Sequence, residues 1–313
     1  MRYIEDIRDG ESIIGHYLCK KKDKLLTKSG KNYLSLILAD KTGSVAAKAW
    51  TLNNDIQNFE AGDFIKIEGA AQIFQDEIQL NVRKIRKSMA GEYLPADYIP
   101  TTDKDVDAVY AAVCAFIDSI ENPHIARLLN AIFVDNKDIA DAFLSHSAAK
   151  NMHHSYMGGL CEHTLNVAQI CEFLAPRYKF VNRDILICAA LLHDIGKIYE
   201  LSAFPENDYT DQGQLLGHIY MTAQLIGNEA AKIAGFPPTL VSLLQHCILS
   251  HHGKHEFGSP ILPKTMEAMI LSYADITDAH TKILEEALEK GPPQADWMGY
   301  HRALQRDIRR SSF

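Results

Sequence analysis

The spacing of the hydrophobic residues changes once along this 313-residue chain, and the change points to two different kinds of domain. Between about residues 12 and 87, short segments alternate between apolar and polar residues, as in 64–68, which is typical of β-strands. From about 103 to 289 the apolar residues recur every three or four positions, which indicates helices. The sequence therefore predicts a multidomain protein with an all-β part followed by an all-α part.

The all-β part has the signals of a small barrel. Turn residues 40–43 separate two strand-like runs, and two further alternating runs follow. The segment between Trp50 and Phe64 is long enough for one short helix. Short strands with a helix after the third are the pattern of an OB-fold barrel, which we predict as a nucleic-acid-binding domain over residues 1–90. A different small β-barrel is the alternative.

Three further segments follow the barrel. Glycine and proline interrupt any periodicity in residues 91–102, which are predicted to be a linker. An all-helical domain is predicted for residues 103–290. Residues 291–313 begin with Gly-Pro-Pro, which ends the helical pattern, and carry four arginines. We interpret them as a basic tail, either a helix that meets RNA or a second subunit, or a loosely ordered terminus.

Charge is distributed unevenly. Residues 1–90 contain 15 Lys+Arg and 12 Asp+Glu, whereas the remaining residues contain 17 and 28. A mildly basic part beside an acidic part suggests a polyanion-binding surface next to a cation-binding domain. No run approaches the ~20 apolar residues of a transmembrane helix. The first residues are charged where a signal peptide would be apolar, so a cytoplasmic protein without a membrane partner is expected.

Histidines are concentrated in the helical part. Nine of the 14 lie between His153 and His255. Three of them, His163, His193 and His251, share helical stripes with apolar residues and are expected to point inward from three helices. One inward histidine is usually a satisfied core residue. Several that converge need partners, and one metal ion can satisfy them together.

The sharpest local signal is the run Leu191-Leu192-His193-Asp194-Ile195-Gly196-Lys197. A His-Asp pair at the end of an apolar helix places an imidazole and a carboxylate at one point. Because a buried carboxylate is costly without a cation, Asp194 is a candidate to bridge two metal ions. Lys197, about one turn later, is predicted to bind phosphate, with a solvated lysine at a helix end as the alternative.

These motifs resemble those of the HD phosphohydrolase superfamily, in which a His, a His-Asp pair and an Asp hold a metal and two further His positions hold a second one. The matching positions are His163, His193, Asp194, His218, His251 or His252, and Asp275. Helical spacing does not decide between His251 and His252. With the run 152–164 and the N-terminal OB domain, the chain is similar over nearly its whole length to the YhaM-type 3′-to-5′ exoribonucleases of Gram-positive bacteria.

The resemblance implies a hydrolase that digests single-stranded RNA from its 3′ end to nucleoside monophosphates with two divalent ions. The ligands of the first would be His163, His193, Asp194 and Asp275, and those of the second Asp194, His218 and His251 or His252. The resemblance implies Mn²⁺, and a mixture of imidazole and carboxylate ligands also suits Fe²⁺ or Co²⁺ better than Mg²⁺.

Basic and aromatic residues are candidates for nucleic-acid contacts, because OB folds stack bases on aromatic side chains beside a basic groove. The candidates are Lys20, Lys21, Lys22, Lys48, Trp50 and Phe74, with Lys28 and Tyr33 nearby. For the lysines the alternative is a solvated loop, and for Trp50 a place in the core. In the helical part, His154 is predicted to contact nucleic acid, with a plain loop before the helix as the alternative.

Three functions are compatible with these features. The first is the exoribonuclease, with single-stranded DNA left open as a second substrate. The second is a phosphodiesterase of cyclic dinucleotides or nucleotides with a regulatory OB domain. The third is a non-catalytic accessory protein that binds nucleic acid, against which the complete set of metal-ligand candidates argues. A homo-oligomer is expected, with the arginine-rich tail as the candidate contact.

Overall fold

A computed structural model describes residues 2–27, 29–75, 77–94, 97–99, 101–102, 104–150 and 154–312. Lys28 and residues 152–153, named above, lie outside this set. The chain divides into two compact units. One comprises Met1–Thr101 with Phe204–Glu206, and the other Thr102–Ala203 with Asn207–Phe313. Within the described ranges, no helix has the length and apolar character needed to cross a bilayer.

The first unit is built around a closed barrel. Its strands are β1 (Ser12–Leu26), β2 (Asn32–Asp40), β3 (Gly43–Ala49), β4 (Phe64–Phe74) and β5 (Glu77–Lys87). Antiparallel pairing joins β1 to both β2 and β4, β2 to β3, and β4 to β5, and parallel pairing of β3 with β5 completes the barrel. This arrangement confirms the predicted OB fold.

Alternation along the strands fills the barrel interior. Leu36 and Leu38 on β2 and Ile65 and Ile67 on β4 are at most 1% exposed and belong to one apolar cluster. Successive side chains of a strand point to opposite faces, so the alternating pattern that predicted strands also selects the residues of the core.

The helix predicted between β3 and β4 is not formed. Residues 51–63, all of them described, contain turns and an isolated bridge between Ile56 and Ile85. The side chain of Asn53 accepts a hydrogen bond from the backbone of Asp55 at 3.1 Å, a local bond that favours a turn over a helix. Phe59, 1% exposed, anchors the segment in the barrel core.

The second unit is helical. Its helices are α1 (Val106–Asp118), α2 (Pro123–Phe133), α3 (Lys137–Ser145), α4 (Gly159–Leu174), α5 (Arg183–Leu192), α6 (Lys197–Glu200), α7 (Asp211–Lys232), α8 (Pro238–Ser250) and α9 (Met266–Lys290). Helix α5 packs against α4, α8 and α9, and its residues 185–192 are all buried. A helix that is apolar on all sides lies inside its domain. The His-Asp pair that follows α5 therefore lies at the centre of this unit. The helices also confirm the predicted all-α domain.

The C-terminal segment differs from both interpretations of a tail. Strands β6 (Trp297–His301) and β7 (Arg306–Arg309) form an antiparallel hairpin. Leu304 and Ile308 are buried against Ile283 of α9. Burial of these apolar side chains holds the segment on the domain, so it is neither a helix nor a loose terminus.

Gly69 provides a test of the barrel. It lies at an irregularity in the β4–β5 pairing, where a Cβ atom would be 2.4 Å from the backbone oxygen of Asn81. Gly69→Ala is expected to lower the free energy of unfolding by about 1–3 kcal/mol, because the crowded atoms belong to the backbone. Thermal unfolding measures the change. Gly43→Ala, where the nearest atom is 3.9 Å away, is the control, and equal stabilities of the two variants would contradict the prediction.

Candidate metal centre

Three buried side chains and that of Asp275, which is 13% exposed, converge where α4, α5 and α9 meet. His163 belongs to α4, His193 and Asp194 follow α5, and Asp275 belongs to α9. Nε2 of His163 lies 3.2 Å from Nε2 of His193 and 3.2 Å from Oδ1 of Asp275. Oδ2 of Asp194 lies 3.5 Å from Nε2 of each histidine. Two donors at about 2.1 Å from one cation, in tetrahedral or octahedral geometry, are about 3.0–3.4 Å apart, so this cluster fits a metal ion.

A second cluster faces the other oxygen of Asp194. Oδ1 of Asp194 lies 3.3 Å from Nε2 of His218 and 3.7 Å from Nε2 of His251. Ring nitrogens of His218, His251 and His252 lie within 4.8 Å of one another. Asp194 therefore presents one oxygen to each cluster. The structure brings both His251 and His252 to the second cluster, rather than one of the two.

The second cluster contains unsatisfied polar atoms. In the part of the chain that the structure describes, Oδ1 of Asp194, Nε2 of His218 and Nε2 of His251 are buried and make no hydrogen bond. Each such atom costs about 1–3 kcal/mol. Three of them directed at one point are explained by a cation between them, and imidazole with carboxylate is a donor set that divalent metals accept. The residues therefore fit a divalent metal.

The opposite ring nitrogens orient these imidazoles. In all five histidines Nδ1 lies 2.7–3.0 Å from an acceptor oxygen. The acceptors, in chain order of the histidines, are Asp278 Oδ2, Ala190 O, Glu200 Oε2, Ile248 O and Phe257 O. Since Nδ1–H donates to these oxygens, Nε2 is the nitrogen that points toward the cluster, and it carries the lone pair whenever the ring is neutral.

Burial and charge act differently on the individual groups. Burial lowers the pKa of His193 to about 4 and that of His252 to about 3, so both rings are neutral near pH 7 and ready to act as ligands. Burial also opposes the charge of His163, but hydrogen bonds to three carboxylates raise its pKa well above the ordinary value. Burial opposes ionisation of Asp194, yet Lys197 and the neighbouring histidines hold its pKa well below the usual range.

Lys197 lies inside the site. Its side chain is 13% exposed, and Nζ lies 2.6 Å from Oδ2 of Asp194. Burial lowers the pKa of Lys197, but the attraction of Asp194 outweighs it and the net shift is upward. The interpretation of Lys197 as a solvated lysine is therefore wrong. Its assignment to phosphate remains a prediction.

Sequence reasoning missed two acidic residues that hold ligand histidines. Asp278 accepts hydrogen bonds from His163 Nδ1 at 2.7 Å and Asn166 Nδ2 at 2.9 Å, and its spacing of three residues from Asp275 on α9 was the available signal. Glu200 accepts from the backbone N–H of His218 and lies 3.0 Å from its Nδ1. No sequence signal marks Glu200, because its contact depends on how α6 packs on α7.

The side chain of His154 is buried inside the helical unit. Its side chain is 0% exposed, with Nε2 3.0 Å from Asp278 Oδ2 and Nδ1 2.7 Å from the hydroxyl of Tyr156. The prediction that His154 contacts nucleic acid is thus corrected. This buried ring supports Asp278, whose pKa is held well below the usual value by hydrogen bonds from His154 and His163 despite burial.

Aromatic residues predicted to bind bases lie together on the barrel. Trp50 is 45% exposed and Phe74 47%, so Trp50 is not a core residue. Tyr33 stacks on Trp50 with ring centres 4.7 Å apart, and Nζ of Lys48 lies 5.1 Å from the Trp50 ring and 5.2 Å from the Phe74 ring. A cleft of about 720 Å³ lies beside Trp50 and is also lined by Asn81. Stacking rings beside a cation are typical of surfaces for single strands.

The predicted lysines of β1 differ in their surroundings. Lys20 and Lys21 are exposed, and Nζ of Lys21 lies 3.1 Å from the carboxylate of Asp23. Lys22 donates to the carbonyl of Phe59 and lies 4.7 Å from its ring centre. Lys22 therefore fixes the segment between β3 and β4, which corrects its prediction as a nucleic-acid contact.

Comparison with known proteins agrees with this geometry. The family model of the HD domain matches residues 160–280, and that of the OB-fold nucleic acid binding domain matches residues 19–87. Together with the divalent-metal site, they define an HD-domain phosphohydrolase that carries an N-terminal OB fold.

Relatives that match this chain over almost its full length identify a family within this class. The 3′-5′ exoribonuclease YhaM of Shouchella clausii (strain KSM-K16) is 35% identical over 289 residues, 91% of this chain and 89% of the relative. That of Geobacillus sp. (strain WCH70) is 33% identical over 286 residues, 91% of this chain and 87% of the relative. The protein of Bacillus subtilis (strain 168) is 33% identical over 287 residues, 91% and 90% respectively. The chain belongs to the YhaM family of 3′-5′ exoribonucleases, as the motifs predicted.

Asp278→Asn tests the support of His163. The amide keeps the size of the side chain but loses the charge that orients the imidazole, so metal affinity is expected to fall about 10- to 100-fold. Calorimetric titration of the metal-free protein with Mn²⁺ measures it. Glu289→Gln, an exposed charge removal on the same helix, is the control. Equal affinities of the two variants would argue against a role for Asp278.

Metal binding is expected to release protons. His163 holds a proton in the metal-free protein because its pKa is raised, and a cation at Nε2 displaces that proton. Affinity should therefore increase with pH up to the pKa of His163 and then level off. Titrations at pH 7 in buffers with different ionisation enthalpies should show release of about one proton. Heats that do not depend on the buffer would contradict this prediction.

Proposed function

We propose that this chain hydrolyses single-stranded RNA from the 3′ end to nucleoside monophosphates at the HD site, with two divalent ions. The observation that carries the proposal is the position of Asp194, whose two oxygens face two clusters of donors. The names of the full-length relatives, 3′-5′ exoribonucleases, support the reaction and its polarity.

Each cluster is assigned one ion. The ligands assigned to the first ion are His163, His193, Asp194 and Asp275. The ligands assigned to the second ion are Asp194, His218, His251 and His252. We propose Mn²⁺, because mixed imidazole and carboxylate donors suit Mn²⁺, Fe²⁺ and Co²⁺ better than Mg²⁺. The chemistry that such ions supply when bound is activation of water and stabilisation of negative charge at the phosphate.

The protein contributes charge and orientation. Two carboxylates, Asp194 and Asp275, cannot neutralise two divalent ions, so the loaded site attracts a phosphodiester. Lys197, a cation whose side chain is 13% exposed, lies beside Asp194 and is assigned to a phosphate oxygen of the substrate. Asp278 and Glu200 hold His163 and His218 in the orientation that the ligands need.

The barrel surface is assigned to the rest of the RNA. Bases would stack on Trp50 and Phe74, and Lys48, between the two rings, would meet the phosphates. Stacking does not depend on the 2′-hydroxyl, so single-stranded DNA is a second substrate to be tested.

The proposal is tested with a 5′-labelled single-stranded RNA in Mn²⁺. The wild type should produce a ladder that shortens from the 3′ end. Asp194→Asn should lower the rate by at least about 100-fold, since loss of a ligand exceeds loss of a residue that supports one. Asp118→Asn, an exposed charge removal on α1, is the control. Intact RNA in the presence of wild type that binds it would refute the proposal, and single-stranded DNA in parallel tests the second substrate.

A further inference from the structure

The hairpin β6–β7 has an inner and an outer face. Met298 of β6 and Ile308 of β7 pack in one apolar cluster with Ile283 and Leu284 of α9. Arg310 donates to the carbonyl of Leu288 at 2.7 Å, which ties the end of the hairpin to the same helix. The inner face therefore fixes the hairpin on the domain.

The outer face carries aromatic rings and a guanidinium group. Trp297 pairs with Arg309, and Tyr300 pairs with Asp307. Paired residues share a face, and neighbours of the buried Ile308 on β7 point away from it. Trp297 is 61% and Tyr300 63% exposed, and Cζ of Arg309 lies 6.0 Å from the ring centre of Trp297. Two rings, the guanidinium of Arg309 and the carboxylate of Asp307 thus share one strip that faces solvent. Nη2 of Arg309 also lies 3.4 Å from the exposed carboxylate of Asp296, a contact that a phosphate would replace.

The segment that forms this strip is basic, whereas the helical domain that carries it is acidic. Residues 91–290 contain 13 Lys+Arg and 26 Asp+Glu, whereas residues 291–313 contain four arginines and two aspartates. A basic segment on an acidic domain favours a polyanionic partner. Exposed rings beside a guanidinium favour a partner with both bases and phosphates. A dry protein interface needs a broader apolar area than these two rings.

We propose that the outer face of this hairpin is a second binding surface for single-stranded RNA, distinct from the barrel surface. Bases stack on Trp297 and Tyr300, and Arg309 contacts phosphate. The inference rests on the proposed function, which supplies the RNA. Helix α9 carries both Asp275 and the hairpin's anchor Ile283, eight residues or about 12 Å apart along the axis, so one helix fixes the distance from the hairpin to the metal centre.

Tryptophan fluorescence tests the contact directly, because the chain contains only two tryptophans, Trp50 and Trp297. Full-length Trp50→Phe protein without divalent metal is titrated with oligoadenylate of about 20 nucleotides, longer than one stacking site. Stacking of a base on Trp297 is expected to quench its emission to a plateau. Unchanged emission, while anisotropy of labelled RNA shows saturated binding, would overturn the inference.

Paired variants separate this surface from a general loss of charge. Trp297→Ala with Arg309→Ala is expected to weaken RNA binding about 5- to 50-fold and to raise KM, and Trp297→Phe should retain most of the affinity. Phe173→Ala with Arg177→Ala is the matched control, because Phe173 is 62% exposed and Cζ of Arg177 lies 3.5 Å from its ring centre. Thermal unfolding verifies that each variant folds.

The outcomes separate this inference from the catalytic proposal. If RNA quenches Trp297 in a protein that does not cleave RNA, the proposed binding surface on the hairpin is supported and the proposed exoribonuclease activity is refuted. Unchanged RNA affinity of the Trp297 and Arg309 double variant, with a smaller mass in analytical ultracentrifugation, would identify the hairpin as a contact between copies of the chain and overturn the inference.

Discussion

The carboxylate of Asp194 is the constraint on which the helical unit depends. It is 1% exposed and follows a helix whose apolar residues are buried on every side. A charge in such a place is stable only when neighbouring elements bring compensating groups. Lys197 provides one, and α4, α7 and the end of α8 each provide an imidazole. The helices that pack to form the core therefore also bring together the side chains of the site.

Helix ends do much of the positioning. His193 and His251 are the residues at which α5 and α8 end, and each lies with Nδ1 near the carbonyl of the residue three positions earlier. Carbonyls in the last turn of a helix have no partner within it, so they are available to orient these rings. The negative ends of two helix dipoles also face the clusters, which favours bound cations.

The sequence was sufficient for the parts of the fold and site that depend on local periodicity. Alternation predicted the barrel strands, and inward-facing histidines with the His-Asp pair predicted the residues that converge. Asp278 and Glu200 were not predicted, because tertiary packing decides which oxygen accepts the hydrogen bond from Nδ1 of a ligand histidine. His154 was misread because the path of a loop is not periodic. The segment around Phe59 and the C-terminal hairpin are too short for a repeating pattern, and a few long-range apolar contacts determine them.

Gly217 has a consequence for how this domain can vary. Its φ of 73° and ψ of 152° interrupt α7 immediately before His218, and Glu200 receives the N–H that the interruption frees. If α7 were continuous, each residue inserted before His218 would turn the His218 ring by about 100° around the helix axis. The interruption uncouples the ring from that rotation, so the segment between α6 and the break can change in length while the second cluster keeps its geometry.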